Sequence, residues 1–358
     1  MRASLLLLAK YSRRGASSRL RLYQYIPSLE ASGYAIHSAP LFDDRYLDAL
    51  YSGKRPNLYH VFGRYLSRMR ELLSLDRRIP LLIEGELFPW LPHFVERFFL
   101  FGRTYTLDYD DAIFHRYDLN RLSLVRVLLG HKIDRLMECA DLVVVGNTYL
   151  ASRARLAGAS VIEILPTVVD IDRYKLAAFQ TTETPFRIGW IGTPITWEAY
   201  GRSLFDTLRR EFHGTSVEFL AIGATGTEQQ SGNVHFLPWS EDTEAQLLST
   251  LSVGLMPLED TPWARGKCAY KLIQYLACGV PVIASPVGAN CEVVKHGENG
   301  FLAATSEEWT ACIALLIADR EKARHMGQQG RRMVADAYSV QSAGPRLAAM
   351  IQPMTSRG

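Results

Sequence analysis

The stretch Gly266-Lys267-Cys268-Ala269-Tyr270-Lys271-Leu272-Ile273-Gln274-Tyr275-Leu276-Ala277-Cys278-Gly279-Val280-Pro281-Val282-Ile283-Ala284-Ser285 decides how this chain of 358 residues is read. A helix is expected to open near Gly266, to run over Cys268 to Cys278 and to stop at Gly279, and Val280 to Ser285 reads as a buried strand. On that helix Ala269, Leu272, Ile273 and Leu276 make an apolar face, while Lys267, Lys271 and Gln274 recur at i, i+4 and i+7 on another. A helix leading into a buried strand belongs to a parallel sheet with crossover helices, and cations at the helix start suit an anion.

The same alternation extends outward. Upstream, strands are expected at Ser4 to Ala9, Tyr34 to Ala39, Ile79 to Glu84, Thr104 to Asp108, Asp141 to Val145 and Val161 to Leu165. After an irregular stretch, Pro166 to Pro185, they resume at Phe186 to Ile191, Val217 to Ile222, Val234 to Leu237, Gly254 to Pro257, Val280 to Ser285 and Phe301 to Leu302. The expected class is α/β: two Rossmann-like parallel-sheet domains, residues 1–168 and 186–336, facing across a cleft. A linker, 169–185, joins them, and a C-terminal helix, 337–358, packs back on the first domain.

Composition narrows the class further. With 48% hydrophobic and 22% charged residues the chain carries no signature of disorder. Cys139, Cys268, Cys278, Cys291 and Cys312 are odd in number and lack paired close spacing, so they read as reduced thiols of a cytoplasmic protein rather than a disulfide or zinc framework. The apolar opening Leu5 to Ala9 is too short for a signal sequence, and no segment is long enough to span a bilayer. Residues 1–170 hold 23 Lys and Arg against 18 Asp and Glu, an excess too mild for nucleic acid but compatible with an anionic acceptor or a membrane surface. The aromatic segment His93 to Phe101 reads as a core helix, with peripheral contact at the inner membrane face as the alternative.

In open parallel sheets ligands sit beyond the carboxyl ends of strands, so the chemistry is sought in the loops that follow them. After the first strand, Gly15, Ser17 and Arg19 lie in a small-residue loop before a helix, a pattern that favours an anion. The fourth strand ends in Asp108, Asp110 and Asp111, three acids in four positions that repel one another unless they meet a cation, a metal, a proton or a sugar's hydroxyl groups. Ala112-Ile113 after them departs from the dehalogenase phosphatase motif. Gly192 and Thr193 follow the first strand of the second half. Arg265, Gly266, Lys267 and Lys271 form an expected diphosphate site, joined by Gly288 and Glu292 in the next loop.

The chain resembles glycosyltransferase family 4, of the GT-B fold, over nearly its full length. The resemblance rests on Gly15 to Arg19, Leu165 to Asp170, Arg187 to Thr193 and, most specifically, Gly266 to Gly300. It implies a transferase of hexosyl or related groups that moves sugar from a nucleoside diphosphate sugar, with retention, to a glycan or lipid-linked hydroxyl acceptor. It also implies neither an obligatory metal nor a resident cofactor. The family's Glu-x7-Glu pair is absent: Gly266 stands at the first acid and Gln274, still able to bond a ribose, at the second. Asp108 is nearest to the position of a His that family members often carry after the fourth strand, which makes the acidic cluster the expected catalytic group. The alternative is a non-catalytic subunit of the same fold that binds the nucleotide sugar or a partner enzyme.

Overall fold

The computed structural model describes residues 3–177, 184–226 and 234–355; the part of the expected linker at 178–183 and the end of the expected C-terminal segment at 356–358 lie outside them. The chain folds as two compact units. Unit 1 comprises Met1–Thr167, Gly266–Cys268 and Ala343–Gly358, and unit 2 comprises Val168–Arg265 and Ala269–Ser342.

Unit 1 holds β1 (Ala3–Leu8), β2 (Tyr34–Ser38), β3 (Leu81–Glu84), β4 (Tyr105–Tyr109), β5 (Leu142–Val145) and β6 (Ile162–Ile164), paired in parallel in the order β2-β1-β3-β4-β5-β6. Unit 2 holds β7 (Phe186–Ile191), β8 (Val217–Ile222), β9 (Val234–Leu237), β10 (Val253–Met256), β11 (Val282–Ala284) and β12 (Gly300–Leu302), in the order β12-β11-β10-β7-β8-β9. Each of these strands lies where the residue pattern placed one, within two residues at either end. The central ones are legible because helices cover both faces of a parallel sheet: Leu81–Glu84, Leu142–Val145 and Val253–Met256 are buried at every position, and all but the closing Glu84 are apolar.

Strand order reverses once in each sheet, between β1 and β3 in unit 1 and between β7 and β10 in unit 2. At such a point neighbouring crossovers run to opposite faces and leave a crevice beyond the strand ends. The last helix, Val340–Thr355, is counted with unit 1 from Ala343 onward, where Tyr34 Oη donates to the Ala348 carbonyl (3.3 Å) and Arg346 to that of Ile164 (3.2 Å). Among the described residues no helix is long and apolar enough to cross a membrane.

Candidate active site

In unit 1 the register pairs Glu84 with Asp108 at the ends of β3 and β4, so two buried carboxylates stand side by side next to the reversal point between β1 and β3. The loop after β1 closes around the first. The Lys10 amide donates to Glu84 Oε2 (2.8 Å), Ser17 Oγ to Oε1 (2.8 Å) and Ser18 Oγ to Oε2, while Tyr11 N–H donates to Ser18 Oγ (2.9 Å). Burial nonetheless pushes the Glu84 carboxyl above its ordinary value. Gly15 lets the turn close, since a Cβ there would sit 2.4 Å from Cβ of Tyr11. At Gly15, Ser17 and Arg19, expected to meet an anion, the structure places internal contacts. Ser17 is committed to Glu84, Gly15 is buried under Tyr11, and Arg19 is half-buried in the short helix Ala16–Arg21. A loop already holding a buried carboxylate is a poor host for a second anion. Glu84 itself carried the signal that marked Asp108, an acid closing a buried strand.

The acidic cluster divides. Asp108 is sequestered: Arg21 donates to both its oxygens (Nε to Oδ2 2.8 Å, Nη2 to Oδ1 2.6 Å), and Nη1 reaches the Leu165 carbonyl (2.9 Å) and Thr167 Oγ1 (3.3 Å). Both side chains are buried, so Asp108, expected in catalysis, ties the helix after β1 to β4 and the chain after β6. Asp110 and Asp111 keep part of their surface in solvent. Burial first, and then the charge of Asp111, pushes the Asp110 carboxyl up to about 8. Burial also raises Asp111, against the pull of Lys267, Lys10 and Arg116. Lys10, whose ammonium lies 5.1 Å from the Tyr11 ring centroid, and Arg116, 3.7 Å from Glu86, were not singled out by sequence. No local motif marks them, because they meet the acids only through the fold.

The segment Gly266–Cys268 is built into this cluster. Asn147 at the end of β5 caps the helix Thr148–Leu156 with Oδ1, and its Nδ2 donates to the carbonyls of Gly266 and Lys267 (3.0 Å each). Cys268 Sγ donates to the Asp110 carbonyl (2.9 Å), on which burial keeps it a thiol. At Gly266 a Cβ would lie 2.5 Å from Cβ and 2.8 Å from the backbone N of Ala112. No side chain fits there, so glycine at 266 is a packing requirement of this chain.

In unit 2 the expected helix is shorter than its periodicity suggests. It spans Tyr270–Ala277 behind Ala269, which adopts a left-handed conformation (φ 53°), while Arg265 ends a separate turn, Pro262–Arg265. Lys267 is therefore not on a stripe with Lys271 and Gln274. Tyr275 fixes the helix: its ring fills the space over Gly254, where a Cβ would touch it at 2.3 Å, and its hydroxyl accepts from Ile191 N–H (2.9 Å). One turn earlier on the same face, Lys271 Nζ lies 4.2 Å from the Trp190 ring centroid. A Cβ on Gly192 would fall 2.6 Å from that ammonium, so glycine is what admits the lysine at the end of β7. Thr193 beside it caps the next helix with Thr196 in a capping box.

The remaining residues of unit 2 are placed as follows. Gln274, expected on the ribose, is buried and donates to Tyr174 Oη (3.2 Å), whose hydroxyl donates to Glu244 (2.8 Å), an internal chain. Arg265 binds both oxygens of Asp260 (2.6 and 2.8 Å), which holds the Asp260 carboxyl below its ordinary range and competes with a phosphate for the same guanidinium. Gly288 turns at φ 53° against the Arg265 carbonyl, and Glu292 is half-buried in the short helix Asn290–Val293. Of the expected donor residues, Gly192, Thr193 and Lys271 gather at the end of β7.

Comparison with known proteins bears on the family and the fold. Residues 187–319 match the family described as Glycosyl transferases group 1. A GDP-Man:Man(3)GlcNAc(2)-PP-Dol alpha-1,2-mannosyltransferase of Dictyostelium discoideum is 30% identical over 119 residues, which are 33% of this chain and 22% of that one; the chain thus matches about a fifth of that curated relative's length. Sucrose-phosphate synthase from Thermosynechococcus elongatus superposes over 100% of both chains with a TM-score of 0.75 at 14% identity. HepE of Anabaena, solved in complex with UDP, covers 99% of this chain and 100% of its own, with a TM-score of 0.68 at 16% identity. The fold is GT-B.

Proposed function

We propose that this chain is a glycosyltransferase that moves a hexosyl or related group from a nucleoside diphosphate sugar to a hydroxyl of a glycan or lipid-linked acceptor, with retention of configuration. The observation that carries the reading is Lys271, held on the face of Trp190 against Gly192 at the end of β7, inside the segment that matches the group 1 family. Cleavage of the anomeric bond places negative charge on the departing diphosphate and positive charge on the sugar. An ammonium positioned beforehand meets the first without reorganising. UDP in HepE and the GDP-mannose named for the relative support a nucleotide donor.

Asp110 and Asp111 take the other half of the chemistry. With their carboxyl groups raised, the pair retains a proton near neutrality, and one member orients the acceptor hydroxyl while the charge of the other faces the cationic sugar. The donor enters as a co-substrate, and neither metal nor resident cofactor takes part in the reading. Cytoplasmic work on such donors fits the five free cysteines.

Turnover of a panel of UDP- and GDP-sugars by wild type and Lys271→Ala, with and without chelator, tests it. The variant is expected to lose about 100- to 1000-fold in kcat, as when a charge-stabilising donor is removed. Wild-type turnover by Lys271→Ala overturns the assignment. Donor-dependent thermal stabilisation with neither transfer nor donor hydrolysis gives the non-catalytic reading instead.

A further inference from the structure

We propose that unit 1 docks on an anionic lipid bilayer through the surface formed by residues 90–101 and 119–128. In the first stretch Trp90, Phe94, Phe98 and Phe101 present their side chains to solvent, and in the second Leu122, Leu124, Val127 and Leu128 do; all eight are between 51 and 79% exposed. On the helix Ser123–Leu129 the residues Leu124, Val127 and Leu128 recur at i, i+3 and i+4, so a whole apolar face points outward while Leu129 turns into the core. The helix His93–Leu100 divides the same way: Glu96 and Leu100 are buried, and Phe94 and Phe98 stand one turn apart on the open side.

The two stretches are tied together. Trp90 packs edge-on against Tyr117 (5.4 Å between centroids), whose hydroxyl accepts from Trp90 N–H (3.1 Å) and which lies two residues before Leu119. Lys132, three residues beyond Leu129, pairs with Glu96 (2.7 Å). Trp90 is also held at φ 66°, a backbone conformation unfavourable for a tryptophan.

Charge selects the occupant. The exposed charged residues of both stretches are Arg97, Arg121 and Arg126, and the single acid, Glu96, is buried on Lys132. Arg126 bonds the carbonyls of Asn120 and Arg121, and Arg97 the thiol of Cys139; among the described residues none of the three arginines pairs with a carboxylate. Exposed aromatic and aliphatic side chains in stretches whose exposed charged residues are all arginines match the interface of an anionic bilayer, where tryptophan and phenylalanine enter the headgroup boundary and each cation gains from the surface potential.

Flotation of the full chain with vesicles of phosphatidylcholine alone, or with phosphatidylglycerol as about a third of the lipid, decides the matter without any sugar substrate, so its outcome is independent of the transferase reading. Wild type floats with the mixed vesicles, and its binding falls with salt. Leu124→Ser with Val127→Ser, and separately Phe94→Ser with Phe98→Ser, lose about tenfold or more in partitioning at unchanged melting temperature, because exposed apolar area is what they remove. Arg121→Gln with Arg126→Gln loses the preference for the anionic lipid. Brominated lipid quenches tryptophan emission in wild type and less in Trp90→Phe. Absence of flotation, or flotation unaffected by both apolar pairs, overturns the proposal. So does a wild-type dimer in sedimentation that the same pairs dissolve, since a second copy would then cover the surface.

Discussion

At the reversal point of unit 1 the strand ends gather Glu84, Asp110 and Asp111, whereas the matching edge of unit 2 offers an ammonium on an indole and a glycine that makes room for it. Both edges arise from one arrangement, parallel strands whose order turns once, and they differ in what they hold: a cluster of acids with Lys10, Arg116 and Lys267 about it in unit 1, and a lysine on an indole in unit 2. In unit 1 the small residues after β1 wrap a carboxylate of the chain itself, and in unit 2 the small residue after β7 admits a lysine. A Gly- and Ser-rich loop after a strand is therefore no sign of an anion site by itself; what the loop encloses decides it.

The largest effect that tests this contrast lies in unit 1. If Asp108 holds the fold through Arg21 rather than acting on substrate, Asp108→Ala leaves a buried guanidinium without its partner and is expected to cost about 3–5 kcal/mol of stability. Donor affinity of the fraction that folds should be unchanged. Denaturant unfolding with donor titration reads both, and a stable variant that has lost only turnover would return Asp108 to the catalytic group.

A smaller effect is expected where the two edges meet in sequence, at Gly266. Restoring the family acid by Gly266→Glu should not restore an acid-dependent activity, because any Cβ collides with Ala112; both Gly266→Glu and Gly266→Ala are expected to lose about 1–3 kcal/mol, the usual range for overpacking. Equal stability with raised turnover in the glutamate variant would contradict the packing account.

The acid pair gives a pH signature that the lysine edge lacks. The folded-state carboxyl of Asp110 is raised, so the folded chain holds more protons than the unfolded one between the ordinary aspartate value and about 8, and stability falls as pH rises through that window. Asp110→Asn, which imitates the protonated form, should flatten that decline, with a higher melting temperature than wild type at pH 8 and little difference at pH 4. Parallel melting curves of the two would show that Asp110 carries no such proton.

How far the residue order alone reached differs between fold and site for a physical reason. Strands buried on both faces are apolar at most positions, so Leu142–Val145 or Val253–Met256 are visible without any neighbour, and in each unit the address of the candidate residues, beyond the strand ends, follows from them. Partnerships across the chain leave no such local mark. Nothing near Asp108 announces Arg21, 87 positions away, and nothing near Gly266 announces Asn147, 119 away. The lysine stripe failed for a related reason: three polar residues at helical spacing require the helix to exist beneath them, and the left-handed Ala269 starts it only at Tyr270.

Gln274 carries that lesson into the smallest prediction. A residue at the family's second acid position was expected on the ribose, yet its amide donates to Tyr174, which in turn donates to Glu244, and the side chain is buried. Gln274→Met keeps the volume and removes one hydrogen bond, so about 0.5–1.5 kcal/mol of stability should be lost. The donor's Kd should stay within about twofold, because a contact that was never made cannot be missed. A tenfold weaker donor at near-native stability would mean that the side chain leaves Tyr174 to meet the ribose. The internal chain would then be the resting partner of a binding residue, and unit 2 would hold its donor by two polar groups of the helix Tyr270–Ala277, Lys271 and Gln274, instead of by the lysine alone.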